Sequence, residues 1–341
     1  MRFGLHGSAR DSVGPVQRAI KAEQLGFDAL FLADSQMNNL DPFQVLTLCA
    51  LKTDSIRLGT AVTNMVFRDP TIVVNSAASL SEISDGRGIL GLGTGDGPVY
   101  SLGRTASRLA DFEAGLRTIR ELLQGREIAV PRGSERREGK ARLRIGKLPV
   151  PLYISAEGPK TLRLAGKLCD GVILGTGFDL QVLEWARQQI ARGAEEAGRS
   201  PSEIDIMPAG MIVIDQDGDQ ARRLVRKRLA NRAHHNFRFT LETVPEAELP
   251  GITRFMTAFD ISKPIEERVD PELVTGYLVR RFSIAGTVDE CVTRVKQLEA
   301  AGITRIMLTP PERIYDQVVE ALGKQVIPRF SHQAFEAAPH K

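Results

Sequence analysis

The sequence predicts an α/β protein, a (β/α)8 TIM barrel with insertions, forming one domain over residues 1–341. Three observations carry the prediction. Apolar runs of strand length alternate with amphipathic helical stretches along the whole chain. The strand cores are apolar at successive positions, as parallel strands buried on both faces require. Glycine follows several apolar helix ends, where a left-handed C-cap turns the chain back toward the sheet.

The candidate strands, in order, are Arg2–His6, Ala29–Ala33, Ile56–Val62, Gly88–Leu92, Leu152–Ser155, Gly171–Leu174, Ile204–Ile214 and Ile303–Leu308. Between them lie helical patterns at Val16–Leu25, Phe43–Leu51, Pro70–Ile83, Thr161–Leu168, Leu180–Ala197 and Gln220–Leu229. The turns Leu-Gly-Phe-Asp (25–28), Ala-Gly-Lys-Leu-Cys-Asp-Gly (165–171) and Ala-Gly-Ile-Thr (301–304) supply the punctuation. An open, doubly wound sheet has the same periodicity, so closure is an expectation. Two stretches exceed the βα count. Residues 125–150 are polar and Gly-rich and predict a hairpin excursion; residues 230–285, with Pro250, Pro264 and Pro271 between short helices, predict a roof over a ligand site.

Composition narrows the function. Lys and Arg total 45 against 42 Asp and Glu, a formal charge of +3, too small to argue for nucleic acid or an anionic membrane. Cys49, Cys169 and Cys291 are far apart and fit neither a disulfide framework nor a zinc site, and no metal is expected. The start Met-Arg-Phe-Gly-Leu is strand-like, and no apolar run approaches the ~20 residues that span a bilayer. A cytoplasmic protein with a small-molecule substrate is expected.

Three segments point to a bound ligand. Residues 86–97, Gly-Arg-Gly-Ile-Leu-Gly-Leu-Gly-Thr-Gly-Asp-Gly, end a strand in glycines that let backbone amides approach a ligand. They follow the fourth strand, and the next helix is expected only near Leu109, so a dinucleotide fingerprint is excluded. Tyr-Ile-Ser-Ala-Glu-Gly-Pro-Lys (153–160) places small residues before a helix N-terminus, a natural anion cradle, with Lys160 beside it. Gly175-Thr176-Gly177 after the sixth strand is expected to form its other wall. Thr63-Asn64 ends the third strand where barrel enzymes keep functional groups. The acid–base candidates are Asp34, Asp96 and His234, with His6 on the first strand and His235 in the roof. No nucleophile motif occurs, which favours chemistry carried by a cofactor.

With these segments in place the chain resembles the luciferase-like superfamily of flavin- and deazaflavin-dependent oxidoreductases over about residues 1–325, nearest the methylenetetrahydromethanopterin reductase branch. The carriers are the Leu-Gly-Phe-Asp turn (25–28), Leu-Ala-Asp-Ser-Gln-Met-Asn-Asn (32–39), Leu-Gly-Thr-Ala-Val-Thr-Asn…Arg-Asp-Pro (58–70) and Ser-Asp-Gly-Arg…Gly-Leu-Gly-Thr-Gly-Asp (84–96). Ser-Ala-Glu-Gly-Pro-Lys…Ala-Gly-Lys-Leu-Cys-Asp-Gly (155–171) and Ala-Gly-Thr-Val-Asp-Glu-Cys (285–291) complete the set. The resemblance implies coenzyme F-420 or FMN as cofactor and a bulge at Thr63-Asn64, often with a non-prolyl cis peptide, behind its ring. It further implies a ring pocket at Thr94, Gly95 and Asp96, a phosphate site at Ser155, Ala156, Glu157, Gly158, Gly175 and Thr176, and a homodimer. Related deazaflavin enzymes often carry Asp-His after the second strand, whereas Asp34-Ser35 stands here. The expected activity is hydride transfer from reduced F-420. The alternatives are an FMN-dependent monooxygenase and a non-catalytic flavin-binding protein. A phosphate-binding lyase or isomerase would need a strand lysine inside the barrel, and the candidate strands have none there.

Overall fold

The eight expected strands form and close on themselves. The computed structural model describes residues 1–130, 139–263 and 267–330. Its barrel strands are β1 (Arg2–Gly7), β2 (Ala29–Leu32), β3 (Arg57–Thr60), β4 (Gly88–Gly93), β5 (Leu152–Ala156), β6 (Gly171–Leu174), β7 (Asp205–Ile214) and β8 (Arg305–Thr309). All pair in parallel, and β1 pairs with both β2 and β8, aligning Leu5 with Leu30 and Leu308. β7 pairs with β6 and β8, which completes the ring.

Alternation explains the apolar runs. Phe31, Ile89, Tyr153, Ile173, Met207, Ala209 and Met307 fill the barrel interior, while Leu30, Leu90, Ile154, Val172 and Leu308 pack outward under the helices. The N-terminal end is plugged by Arg305, 1% exposed, whose guanidinium meets Asp28 at 2.9 Å and Tyr153 Oη at 2.9 Å.

The helices are α1 (Gly14–Gln24), α2 (Pro42–Ala50), α3 (Pro70–Ile83), α4 (Gly97–Ser101), α5 (Leu109–Leu123) and α6 (Pro159–Leu168). They continue with α7 (Leu180–Glu196), α8 (Gly218–Thr240), α9 (Leu249–Ala258), α10 (Gly276–Phe282), α11 (Val288–Ala300) and α12 (Tyr315–Ala321). Side-chain caps start several of them: Asp41 accepts from Phe43 N, Asp69 from Thr71 N, and Thr287 and Glu290 form a reciprocal capping box.

The 125–150 excursion contains an antiparallel hairpin, Ile128–Val130 against Gly139–Ala141; residues 131–138 lie outside the described residues. The 230–285 excursion is rooted differently from expectation. α8 continues to Thr240 instead of stopping at Leu229, and an additional strand, Ser283–Gly286, pairs with the far half of β7 from Met211 to Ile214. Pro250 and Pro271 stand in the first turns of short helices rather than breaking them, and Pro264 lies outside the described residues. This region has its own core, built on Val225, Leu229, Ala233, Phe237, Phe255, Tyr277 and Phe282.

Candidate active site

A cavity of about 870 Å³ opens at the C-terminal ends of the barrel strands. Its floor is made where β3 departs from β4. Gly59 pairs with Ile89 and Thr63 with Leu92, so β3 carries one residue more than its partner between the two pairs. Thr60 bridges the gap by side chain, donating to Gly91 O at 2.8 Å and accepting from Gly91 N at 3.0 Å. A side chain at Gly91 would run into the Thr60 carbonyl, so the close approach demands glycine. The extra residue lies within 60–62, and Ala61–Val62 is a non-prolyl cis peptide. The bulge expected at Thr63-Asn64 is therefore displaced toward the N-terminus, because Thr63 and Asn64 themselves re-pair with β4.

Ala61, Val62, Ile173, Ala209 and Met307 make the floor apolar. His6 also faces it, with Nε2 donating to Ala61 O at 3.1 Å and Nδ1 accepting from Thr309 Oγ1 at 3.3 Å. The carbonyl can only accept, which sets this tautomer. Burial, helped by the charge of Arg232, pulls the His6 pKa down to about 4, so the ring is neutral near pH 7.

Asp34, 6% exposed, lines the wall but is committed. It accepts from Thr63 Oγ1 at 2.7 Å, Gln36 Nε2 at 2.7 Å and Arg68 Nε at 2.8 Å. Arg68 also reaches Asp41 at 2.8 Å. As the expected acid or base Asp34 is thus tied down; it locks the β2 and β3 ends together. Asn64 lines the cavity while its Oδ1 accepts from the amides of Val66 and Phe67. Ser35 lines the rim where related deazaflavin enzymes often carry His, and its Oγ accepts from Asn38 Nδ2 at 3.2 Å.

Thr94, Gly95 and Asp96 line the opposite wall, Gly95 with φ of +104°. The expectation that no helix begins before Leu109 fails, since α4 starts at Gly97. Ser155, Glu157, Gly158, Lys160 and Thr161 line the cavity around the start of α6, whose Gly158 N-cap offers no side-chain acceptor to the first-turn amides.

Three residues expected in the phosphate site lie outside the cavity lining. Ala156 alternates outward into the core behind β5. The space over Gly175 is filled by the carboxylate of Glu157 and the guanidinium of Arg232, an ion pair of 3.0 Å. Thr176 is buried, its carbonyl accepting from Arg281 Nε at 3.2 Å. Arg281 is itself fully buried and turns its other nitrogens to Tyr277, Asn236 and Thr240, and Asn236 donates to Glu157 at 3.1 Å.

His234 also leaves the site. Its ring stacks on Phe259 at 4.0 Å, whereas His235 lines the cavity, 3.7 Å from Asp96 and 3.8 Å from Glu157. The reason is the length of α8: neighbours on a continuous helix project about 100° apart, and His235 falls on the face it shares with Arg228, Arg232 and Phe239 while His234 turns to Phe259. The same extension brings in Arg228, Arg232, Arg238 and Phe239. Their recurrence at 228, 232, 235 and 239 was a readable helical signal once the helix is continued past Leu229. Among the described residues, no group of His, Cys, Asp and Glu could hold a metal ion.

A family profile described as luciferase-like monooxygenase matches residues 9–305. The chain belongs to this family. This luciferase-like chain is 33% identical over 337 residues to a 5,10-methylenetetrahydromethanopterin reductase of Methanolobus tindarius, spanning 96% of the chain and 100% of that relative. It is 26% identical to an F-420-dependent glucose-6-phosphate dehydrogenase of Nakamurella multipartita, over 96% of each. Among solved structures, the coenzyme F-420-dependent tetrahydromethanopterin reductase of Methanopyrus kandleri matches with a TM-score of 0.75 at 27% identity, covering 97% of this chain and 99% of that one.

Proposed function

We propose that this luciferase-like protein is an oxidoreductase that uses reduced coenzyme F-420 to transfer a hydride to a small organic substrate. The observation that carries the reading is a single cavity with an apolar floor at one side and an uncapped α6 N-terminus with Lys160 at the other. A planar ring fits the first and a phosphate the second. The F-420-dependent dehydrogenase and the F-420-dependent reductase structure, each matched over almost its whole length, support the same cofactor. When bound, a reduced deazaflavin supplies the hydride.

The chain's own residues bind and orient. Ala61, Val62 and Ile173 back the ring, Thr94, Gly95, Asp96, Thr63 and Asn64 border it, and Ser155, Glu157 and Gly158 sit at the phosphate end with Lys160. Neutral His6 provides hydrogen bonding below the floor without adding a cation. Asp34 positions the β2 and β3 ends through Thr63 and Arg68. Asp96 and His235 are the titratable side chains that face the cavity 3.7 Å apart, and they are placed to move a proton to or from substrate. Ser35 suits a reduction that needs no imidazole base there.

The reading includes one barrel domain acting in the cytoplasm on a small molecule, without a nucleic-acid partner. Among the described residues no helix is long and apolar enough to cross a membrane. It also includes a homodimer on the α2–α3 side, where Leu48, Leu51, Ile72 and Ile83 are 43%, 65%, 54% and 39% exposed. A monomeric mass by light scattering would remove the dimer. Titrating the protein with F-420 and with FMN, and following ring fluorescence, tests the cofactor. Binding of FMN alone, with oxygen consumed on reduction, would replace this reading with monooxygenation.

A further inference from the structure

We propose that the cavity-facing side of α8 is a binding track for an oligoanionic tail of the cofactor, for carboxylates carried beyond its phosphate; the proposal rests on the deazaflavin reading above. Arg228, Arg232, His235 and Phe239 recur at spacings that place them on one face of α8, with Arg238 beside them, and all five line the cavity. The arginines on the other faces of the same helix are paired. Arg222 meets Asp219 and Glu290 at 2.9 and 3.1 Å, Arg223 meets Asp217 at 3.3 Å, and Arg226 meets Glu272 at 3.6 Å. On the cavity side Arg232 has Glu157, but among the described residues no carboxylate pairs with Arg228, Arg238 or Lys160. The outward Arg222, Arg223 and Arg226 are thus neutralised, whereas Arg228 and Arg238 on the cavity side have no carboxylate partner among the described residues.

Length decides what they take. Arg228 and Arg238 are ten residues apart, about 15 Å along the helix axis. A phosphate is far too small to meet both ends of that row, and the α6 N-terminus already offers it amides and Lys160. A chain bearing several carboxylates can run along the row and meet one guanidinium after another. Coenzyme F-420 carries glutamyl residues beyond its phosphate, and FMN ends at the phosphate. The track thus separates the two cofactors by tail charge, independently of ring chemistry.

The test is equilibrium binding, read by ring fluorescence, of three probes: F-420 with several glutamyl residues, the same coenzyme stripped of them, and FMN. Exposed ion pairs each contribute roughly 1.5- to 5-fold, so the wild-type protein should bind full-length F-420 roughly tenfold more tightly than the stripped form at low salt. The gap should close as salt screens the pairs. In Arg228→Gln/Arg238→Gln, both exposed positions, most of the gap should vanish while affinity for the stripped form holds. Arg223→Gln, on the outward face, should change neither. Equal wild-type affinity for the two forms, or equal weakening of both in the double variant, overturns the track. An effect confined to the KM of the organic substrate reassigns the arginines to that substrate and also overturns it. Failure of every deazaflavin to bind while FMN binds removes the cofactor reading itself, and the track falls with it.

Discussion

Acidification should expose the cost of keeping His6 uncharged. In the unfolded chain His6 has its ordinary pKa of 6.5, and in the barrel about 4. Between those values the unfolded chain binds a proton that the folded protein refuses, so stability rises with pH across this window. The contribution is complete above pH 6.5 and is lost as pH falls toward 4. For the full shift the loss at pH 5 is about 2 kcal/mol. Because His6 borders the cavity, water there offsets part of it, leaving ~1–2 kcal/mol. The experiment compares urea unfolding of wild type and His6→Gln at pH 7.5 and pH 5. Both proteins share the same titrating carboxylates, so the change in their difference isolates His6. The wild type's lead should shrink by about 1–2 kcal/mol at pH 5. A lead that stays constant would refute the neutral imidazole.

Three further outcomes follow from the same geometry. Asp34→Ala strands Arg68 with Asp41 as its remaining partner and should cost about 2–3 kcal/mol in urea unfolding, below the full penalty for a broken buried pair. Gly91→Ala drives a methyl group into the Thr60 carbonyl, backbone against backbone, and should lower stability by about 3 kcal/mol or more; a normal thermal midpoint would contradict the β3 geometry. Gly158→Asp has ordinary room beside Phe239, so folding should hold, while the new carboxylate weakens cofactor binding at least tenfold, ~1.4 kcal/mol; unchanged affinity sinks the phosphate assignment.

Periodicity was a good guide where burial is uniform. Each of the eight barrel strands occupies one of the apolar runs read from the sequence, because parallel strands covered on both faces must be apolar throughout. It failed where tertiary context decides. Ser-Ile-Ala-Gly at 283–286 is too short and small-residue-rich to announce a strand, and forms one because the far half of β7 lacks a neighbour there. α8 reads as ending at Leu229 because Asn231, His234, His235 and Asn236 have weak helix propensity; packing of Ala233 and Phe237 into the satellite core carries the helix on to Thr240. Ending the helix early left open which of the two histidines lines the cavity, His235 and not His234, and hid the arginine row. Likewise the small-residue turn before α6, which lines the cavity, was legible in the sequence, but the filling of the space over Gly175 by Glu157 and Arg232 depends on a contact 75 residues apart in sequence.

β7 is ten residues long, and its upper half belongs to the roof as much as to the barrel. Swinging the roof outward as a hinged flap would tear the parallel ladder between Met211–Ile214 and Ser283–Gly286, together with the apolar layer beneath α8. The upper structure is therefore built as a fixed vault on the barrel. Variation in what the vault accepts can then arise by exchanging side chains along α8 while the eight-stranded frame is left untouched.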